Sequence, residues 1–138
     1  MFKNTLFVLC LTLFSVPAHS VQFKKEIAEA IRTGKEQKKP VFVVFHADWC
    51  GWCHKLDKDV LSNVEFSAYM DANFVSIKID TEESYGENLA KHYGVKGLPA
   101  MLFLNPENGK LLGKIPGYAD AATVMNKAQE AIDKLNTK

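Results

Sequence analysis

The sequence predicts an α/β protein whose central mixed sheet of about four strands is flanked by helices, with a helix at the N-terminal side of the domain. Three observations carry this. Residues 41–45 form an unbroken apolar run of strand length, amphipathic helical stripes lie on either side of it, and two apolar runs near the C-terminus are joined by Asn105-Pro106-Glu107-Asn108-Gly109-Lys110. Strands separated by helices pair in parallel, whereas a hairpin adds an antiparallel pair, so the sheet is mixed.

Taken in order, Phe23, Ile27, Ala30 and Ile31 recur at helical spacing among charged residues, and Gly34 with the polar run to Pro40 closes that element. Lys35, Lys38 and Lys39 surround Glu36 there and read as a solvated helix end. The run 41–45 is apolar on both faces, as a central parallel strand requires. A helix then opens at Cys50 with Trp52, Leu56 and Val60 in one stripe, breaks at Ser62 and Asn63, and resumes briefly over 64–70. Residues 74–79 alternate between apolar and polar, which predicts a half-buried strand.

The next helix shows Tyr85, Leu89 and His92 or Tyr93 on one face, acids at its start, Lys91 late, and Gly94 where a C-terminal cap belongs. Residues 100–104 and 111–115 make the hairpin. Asp120 then caps a last helix that turns Ala121, Val124, Ala128, Ile132 and Leu135 inward.

Residues 1–20 carry one cation, Lys3, then an apolar stretch, then Pro17-Ala18-His19-Ser20, which reads as a signal peptide cleaved after Ala18 or Ser20. The apolar stretch is shorter than the roughly 20 residues of a spanning helix, so no membrane insertion is expected after cleavage. Cys10 leaves with this segment, and residues 21–138 form one domain of about 118 residues, enough for a single core. Cleavage removes one of 17 basic residues and none of the 16 acids, leaving the charges balanced. Such a surface has no footprint for nucleic acid.

Two cysteines then remain, Cys50 and Cys53, in Cys50-Gly51-Trp52-Cys53 directly behind the apolar strand. A helix opening at Cys50 aims unsatisfied N–H groups and its positive dipole end at that sulfur, which favours the thiolate, the attacking species in disulfide exchange. Cys50 is therefore the expected exposed nucleophile and Cys53, one turn in, the shielded resolving thiol. In an oxidising compartment a lone C-x-x-C is a reaction centre rather than a scaffold.

Ala47-Asp48-Trp49-Cys50-Gly51-Trp52-Cys53 resembles the active-site segment of the thioredoxin superfamily, and Gly97-Leu98-Pro99 followed by an apolar strand resembles its second landmark. The Trp-Cys-Gly-Trp-Cys-x-Lys-Leu pattern is most similar to small secreted bacterial thioredoxin-like proteins and to the C-terminal domain of the thiol:disulfide interchange protein. The resemblance implies a thioredoxin fold, a cis bond before Pro99 facing the cysteines, and backbone groups of Leu98 that hold a substrate strand. It also places Trp49 and Trp52 at the substrate surface, although Trp52 equally fits a packing role against the strand ends. Val44 stands where thioredoxins carry a buried aspartate, so a proton relay to Cys53 does not carry over.

The implied function is a periplasmic or secreted thiol–disulfide oxidoreductase, monomeric, working on protein thiols and disulfides with no cofactor beyond its own disulfide. The resemblance leans toward a reductase fed by a membrane electron donor, with an oxidase or isomerase as the alternative. His54 is a candidate modulator of the thiolate. Two other classes share the motif. Cys50-x-x-Cys53-His54 meets the spacing for covalent haem, with Met70, Met101 or Met125 as distal ligand, but a strand before the motif argues against it. Zinc held by Cys50, Cys53, His54 and His46 is disfavoured because adjacent Cys53 and His54 suit one tetrahedral site poorly, so no metal is expected. A redox-linked binding module without turnover is the remaining class.

Overall fold

The computed structural model describes residues 20–137. The expected signal segment, residues 1–20 with Cys10, lies outside the described residues except for Ser20. The elements run β1 (Phe23–Lys24), α1 (Ile27–Gln37), β2 (Val41–His46), α2 (Gly51–Leu56) continued by a π-helical turn (Asp57–Leu61), α3 (Val64–Asn73), β3 (Val75–Asp80), α4 (Ser84–His92), β4 (Ala100–Leu104), β5 (Leu111–Pro116) and α5 (Ala121–Asn136). They build one sheet in the order β1-β3-β2-β4-β5, with β2 parallel to β3 and antiparallel to β4.

The sheet therefore has five strands where about four are predicted from sequence. The added one, β1, pairs Phe23 with Ser76 and Lys24 with Ile77 at the edge. Two residues cannot display a period, and Phe23 also satisfies the helical spacing, so the pattern places it in the helix that in fact starts at Ile27. Helix α1 ends within the polar run to Pro40, as expected, though not at Gly34 itself. The helix runs on to Gln37 and is closed by Lys38 in the left-handed region at φ 54°, whose N–H donates to the Gly34 and Lys35 carbonyls. Glycine is needed at 34 for close approach, because a Cβ there would lie 2.9 Å from the Lys39 carbonyl oxygen and 3.0 Å from Pro106.

Alternation along β2 divides the core into two layers. Phe42 and Val44 face α2, α3 and α5, where they meet Leu56, Phe66, Met70, Phe103 and Val124. Val41, Val43 and Phe45 face α1 and α4 together with Ile77, Leu102 and Ala90. This double burial is what an unbroken apolar run encodes. The expectation for β3 needs correcting, since Ser76 on its supposedly solvated face is only 2% exposed, and its hydroxyl has no hydrogen-bond partner among the described residues. Its neighbours β1 and β2 enclose it, and only Lys78 and Asp80 keep partial exposure.

Of the expected face of α4, Leu89 and Tyr93 pack against the core, but its start differs. Tyr85 is exposed, while Gly86 and Ala90 are buried against the sheet. A Cβ on Gly86 would sit 1.9 Å from the Asp80 carbonyl oxygen, a backbone atom that cannot rotate away. Gly86→Ala is therefore expected to lower stability. The helix-propensity gain of about 1 kcal/mol is outweighed by overpacking of about 1–3 kcal/mol, and a urea midpoint below that of the parent protein checks the sign.

At the start of α5, Asp120 accepts a hydrogen bond from the Thr123 N–H at 2.8 Å, the predicted cap. Hydrogen bonding from the Thr123 side chain, and then from its backbone N–H, holds the Asp120 carboxyl below its ordinary range. A carboxylate whose folded pKa is depressed adds stability above its unfolded pKa and loses it as pH falls through the folded one. Asp120→Asn, which keeps an acceptor, is expected to flatten this acid-side loss in thermal melts between about pH 5 and pH 2.

Candidate active site

Strand β2 delivers the chain to a tight turn in which the Cys50 N–H donates to the Ala47 carbonyl at 3.1 Å. Cys50 has extended backbone angles and occupies the N-cap of α2. Its Sγ accepts a hydrogen bond from the Cys53 N–H at 3.2 Å, and its carbonyl accepts from the Cys53 and His54 N–H groups. The sulfur thus takes the place of a capping oxygen at a helix start that the following π-turn extends to Leu61. Cys50 and Cys53 are joined in a disulfide with their Cα atoms 5.2 Å apart.

The expected difference in exposure is not seen in this oxidised state, where Cys50 is 4% and Cys53 3% accessible. Closing the ring draws the first sulfur back against the second, one helical turn in. What distinguishes the two is hydrogen bonding: the Cys50 sulfur faces a backbone donor that would stabilise a thiolate once the ring opens.

Trp49 and Trp52 flank the disulfide in sequence and are 71% and 59% exposed. Trp52 has one ring partner among the described residues. Its ring lies 5.6 Å from that of Tyr118, in the link between β5 and α5, and Lys55 Nζ stands 5.4 Å from the same Tyr118 ring. The hydrogen bond to Asp59 holds the Lys55 ammonium above its ordinary range, so the cation over the aromatic face stays charged. His54 is exposed and its Nε2 lies 2.7 Å from the Asp48 carbonyl oxygen. A carbonyl only accepts, so Nε2 carries the proton and the imidazole is tied to the turn preceding Cys50.

The Leu98–Pro99 peptide bond is cis. Because Ala100 pairs with Phe45, one residue before the end of β2, this turn lies beside the strand end that leads to the cysteines. The Pro99 carbonyl accepts from the Gly117 N–H at 2.8 Å, which ties the turn to the β5–α5 link. Among the described residues, the backbone groups of Lys96, Gly97 and Leu98 have no hydrogen-bond partner.

Val44, six residues before Cys50, is buried, and its register partner is Lys78. Lys78 Nζ reaches both carboxylate oxygens of Asp57, at 2.7 and 2.8 Å, four residues after Cys53. This ion pair fastens the far end of the cysteine helix to β3. Its partners are 21 residues apart and carry no sequence signal, so it was missed, as were Tyr118 and Lys55. The local signal near Tyr118 is Gly117 after an apolar strand, which indicates a turn but not the contact of Tyr118 with Trp52.

The residues named for haem or zinc are differently placed. Met70 and Met101 are fully buried among core side chains, and the His54 ring turns to Asp48. Among the described residues no cluster of three or more His, Cys, Asp or Glu has metal-binding geometry.

This strand–turn–helix with an N-capping cysteine, a disulfide to the next turn and an adjoining cis-proline defines a thioredoxin-type site. The model of the thioredoxin-like domain family matches residues 27–132, and the chain belongs to that family. It is similar to disulfide bond reductase DsbH of Chlamydia pneumoniae, 29% identical over 117 residues that cover 76% of this chain and 69% of that one. It is also similar to thiol:disulfide interchange protein DsbD of Campylobacter jejuni, 29% identical over 134 residues covering 92% of this chain but 23% of that protein. Against two further curated relatives the match spans 42% of their length. Among solved structures, a thioredoxin from Thermus thermophilus superposes with a TM-score of 0.76 at 26% identity, covering 85% of this chain and 91% of that one.

Proposed function

We propose that the protein is a thiol–disulfide oxidoreductase that exchanges its Cys50/Cys53 pair with disulfides and thiols of other proteins outside the bacterial cytoplasm, acting mainly as a reductase. The observation that carries it is the Cys53 N–H aimed at Cys50 Sγ at the end of a buried strand. In the reducing direction the Cys50 thiolate attacks one sulfur of a substrate disulfide, forming the Cys50–substrate bond and expelling the other sulfur as a thiolate, which takes a proton. Cys53 then gives up its proton and attacks Cys50 Sγ. The second substrate thiol leaves, and two electrons have passed from the dithiol to the substrate.

In this reading the backbone groups of Leu98 hold the substrate strand, a form of strand addition, and Pro99 fixes the turn that presents them and faces the cysteines. Trp49 and Trp52 offer it an apolar surface, and His54 modulates the thiolate. Residues 1–20 act as the signal peptide and residues 21–138 as the working domain, a monomer kept reduced by a membrane electron donor. The reductase direction draws support from the similarity to DsbH.

Titration of residues 21–138 against glutathione buffers, with free thiols trapped by a mass-shifting alkylator, tests the direction. A potential near or below about −230 mV is expected, and one of about −120 to −180 mV would instead favour oxidation or isomerisation of substrates.

A further inference from the structure

Two clefts meet at the turn before Pro99. One, of about 360 Å³, lies between this turn and Trp49, and its Glu87 and Lys91 are closed on each other at 2.6 Å. The other, of about 430 Å³, runs between Lys96, Gly97 and Leu98 on one side and Lys114, Pro116 and Gly117 on the other. No acidic residue lines this second cleft. Its two cations differ in what they can do. Lys114 Nζ is bound to the Tyr93 and Gly94 carbonyls at 3.1 and 2.7 Å, where it caps the end of α4. Lys96 is exposed and has no ion pair or hydrogen bond among the described residues.

The walls are also bare where a chain would lie. A Cβ on Gly97 or Gly117 would meet nothing within 4 Å, so an extended segment can approach the backbone on either side. If such a segment pairs with Leu98, residues two apart share a face and lie roughly 7 Å along the strand. The chain bends at Gly97 and Leu98, so Lys96 stands at the rim of the turn beside such a segment rather than in one strand with Leu98.

We infer that Lys96 is a specificity-determining residue that selects protein disulfides whose cysteine lies in an extended segment with acidic residues close on either side of it. This rests on the exchange reading of Cys50 and Cys53. An unpaired cation at the rim of a cleft without acids acts mainly on encounter and register, and its effect is screened by salt.

The test uses residues 21–138, reduced beforehand, in single turnover with two synthetic peptide disulfides. Both are homodimers through one central cysteine and differ only in carrying Glu or Lys two residues to either side. Each rate is divided by the rate of the same peptide with dithiothreitol, which removes intrinsic differences in disulfide reactivity. At low ionic strength the normalised rate is expected to be about fivefold higher for the Glu peptide. The preference should shrink toward unity in about 0.5 M salt. Lys96→Glu should invert it, whereas Lys35→Glu, the same charge change at the far end of α1, should not. Equal normalised rates for both peptides, or an inversion by Lys35→Glu as large as that by Lys96→Glu, would overturn the assignment while leaving the exchange function standing. Failure to oxidise the reduced pair with either peptide would remove the exchange reading itself, and this assignment with it.

Discussion

Cys50→Ser is expected to abolish catalysed reduction of insulin disulfides, whereas Cys53→Ser keeps the first attack and stops at a mixed disulfide. The asymmetry follows from the helix start. Only the Cys50 sulfur accepts a backbone N–H, from Cys53 at 3.2 Å, so it is the thiol whose anion the fold stabilises. Serine at 50 keeps the capping geometry but offers no thiolate, and turnover should drop to the uncatalysed background. Serine at 53 leaves the nucleophile but removes the group that resolves the intermediate, so a covalent adduct accumulates and is released only by added thiol. The two outcomes are read by insulin turbidity and by intact mass under non-reducing conditions. Retained turnover in Cys50→Ser together with lost turnover in Cys53→Ser would reverse the assignment of roles.

Phe103→Ala should produce the largest loss of stability among single core substitutions away from the cysteines. Phe103 is fully buried one residue before the end of β4, with its ring 5.1 Å from Phe42 and 5.4 Å from Phe74. It therefore joins a central strand to the segment entering β3. Truncating a buried phenylalanine costs about 3–5 kcal/mol through lost transfer energy and the cavity left behind. Domains of this size are typically stable by only about 5–15 kcal/mol, so the variant should sit near the edge of folding at 37 °C. Urea unfolding with the disulfide held oxidised measures the difference without a change of redox state. A loss below about 1 kcal/mol would mean that the surrounding rings collapse into the space.

The fold was legible where a pattern is both long and redundant. Residues 41–45 announced a doubly buried strand because each carries apolar side chains to one of two core layers, and β2 lies at the centre of the sheet as expected. Asp120 was readable because capping is a local hydrogen bond between residues three apart. By contrast β1 is too short for any period, and Ser76 looks solvated in sequence but is enclosed by strands on both sides. The role of Gly34 was misread for the same reason. A glycine can end a helix or admit a neighbour, and only the position of Lys39 and Pro106 distinguishes the two.

The candidate site divides in the same way. The sequence by itself determined that two cysteines one helical turn apart follow a buried strand and that a Gly-Leu-Pro turn precedes another, because spacing and hydropathy are local properties. Tertiary structure alone decided that Trp52 meets Tyr118, that Asp57 is clamped by Lys78, and that Lys96 is left unpaired beside a cleft without acids. Those relations join segments 20 to 70 residues apart, on the order of the chain's own helix-to-strand crossovers. They depend on strand order, twist and the fit of side chains, none of which is written in the spacing of residues along the chain.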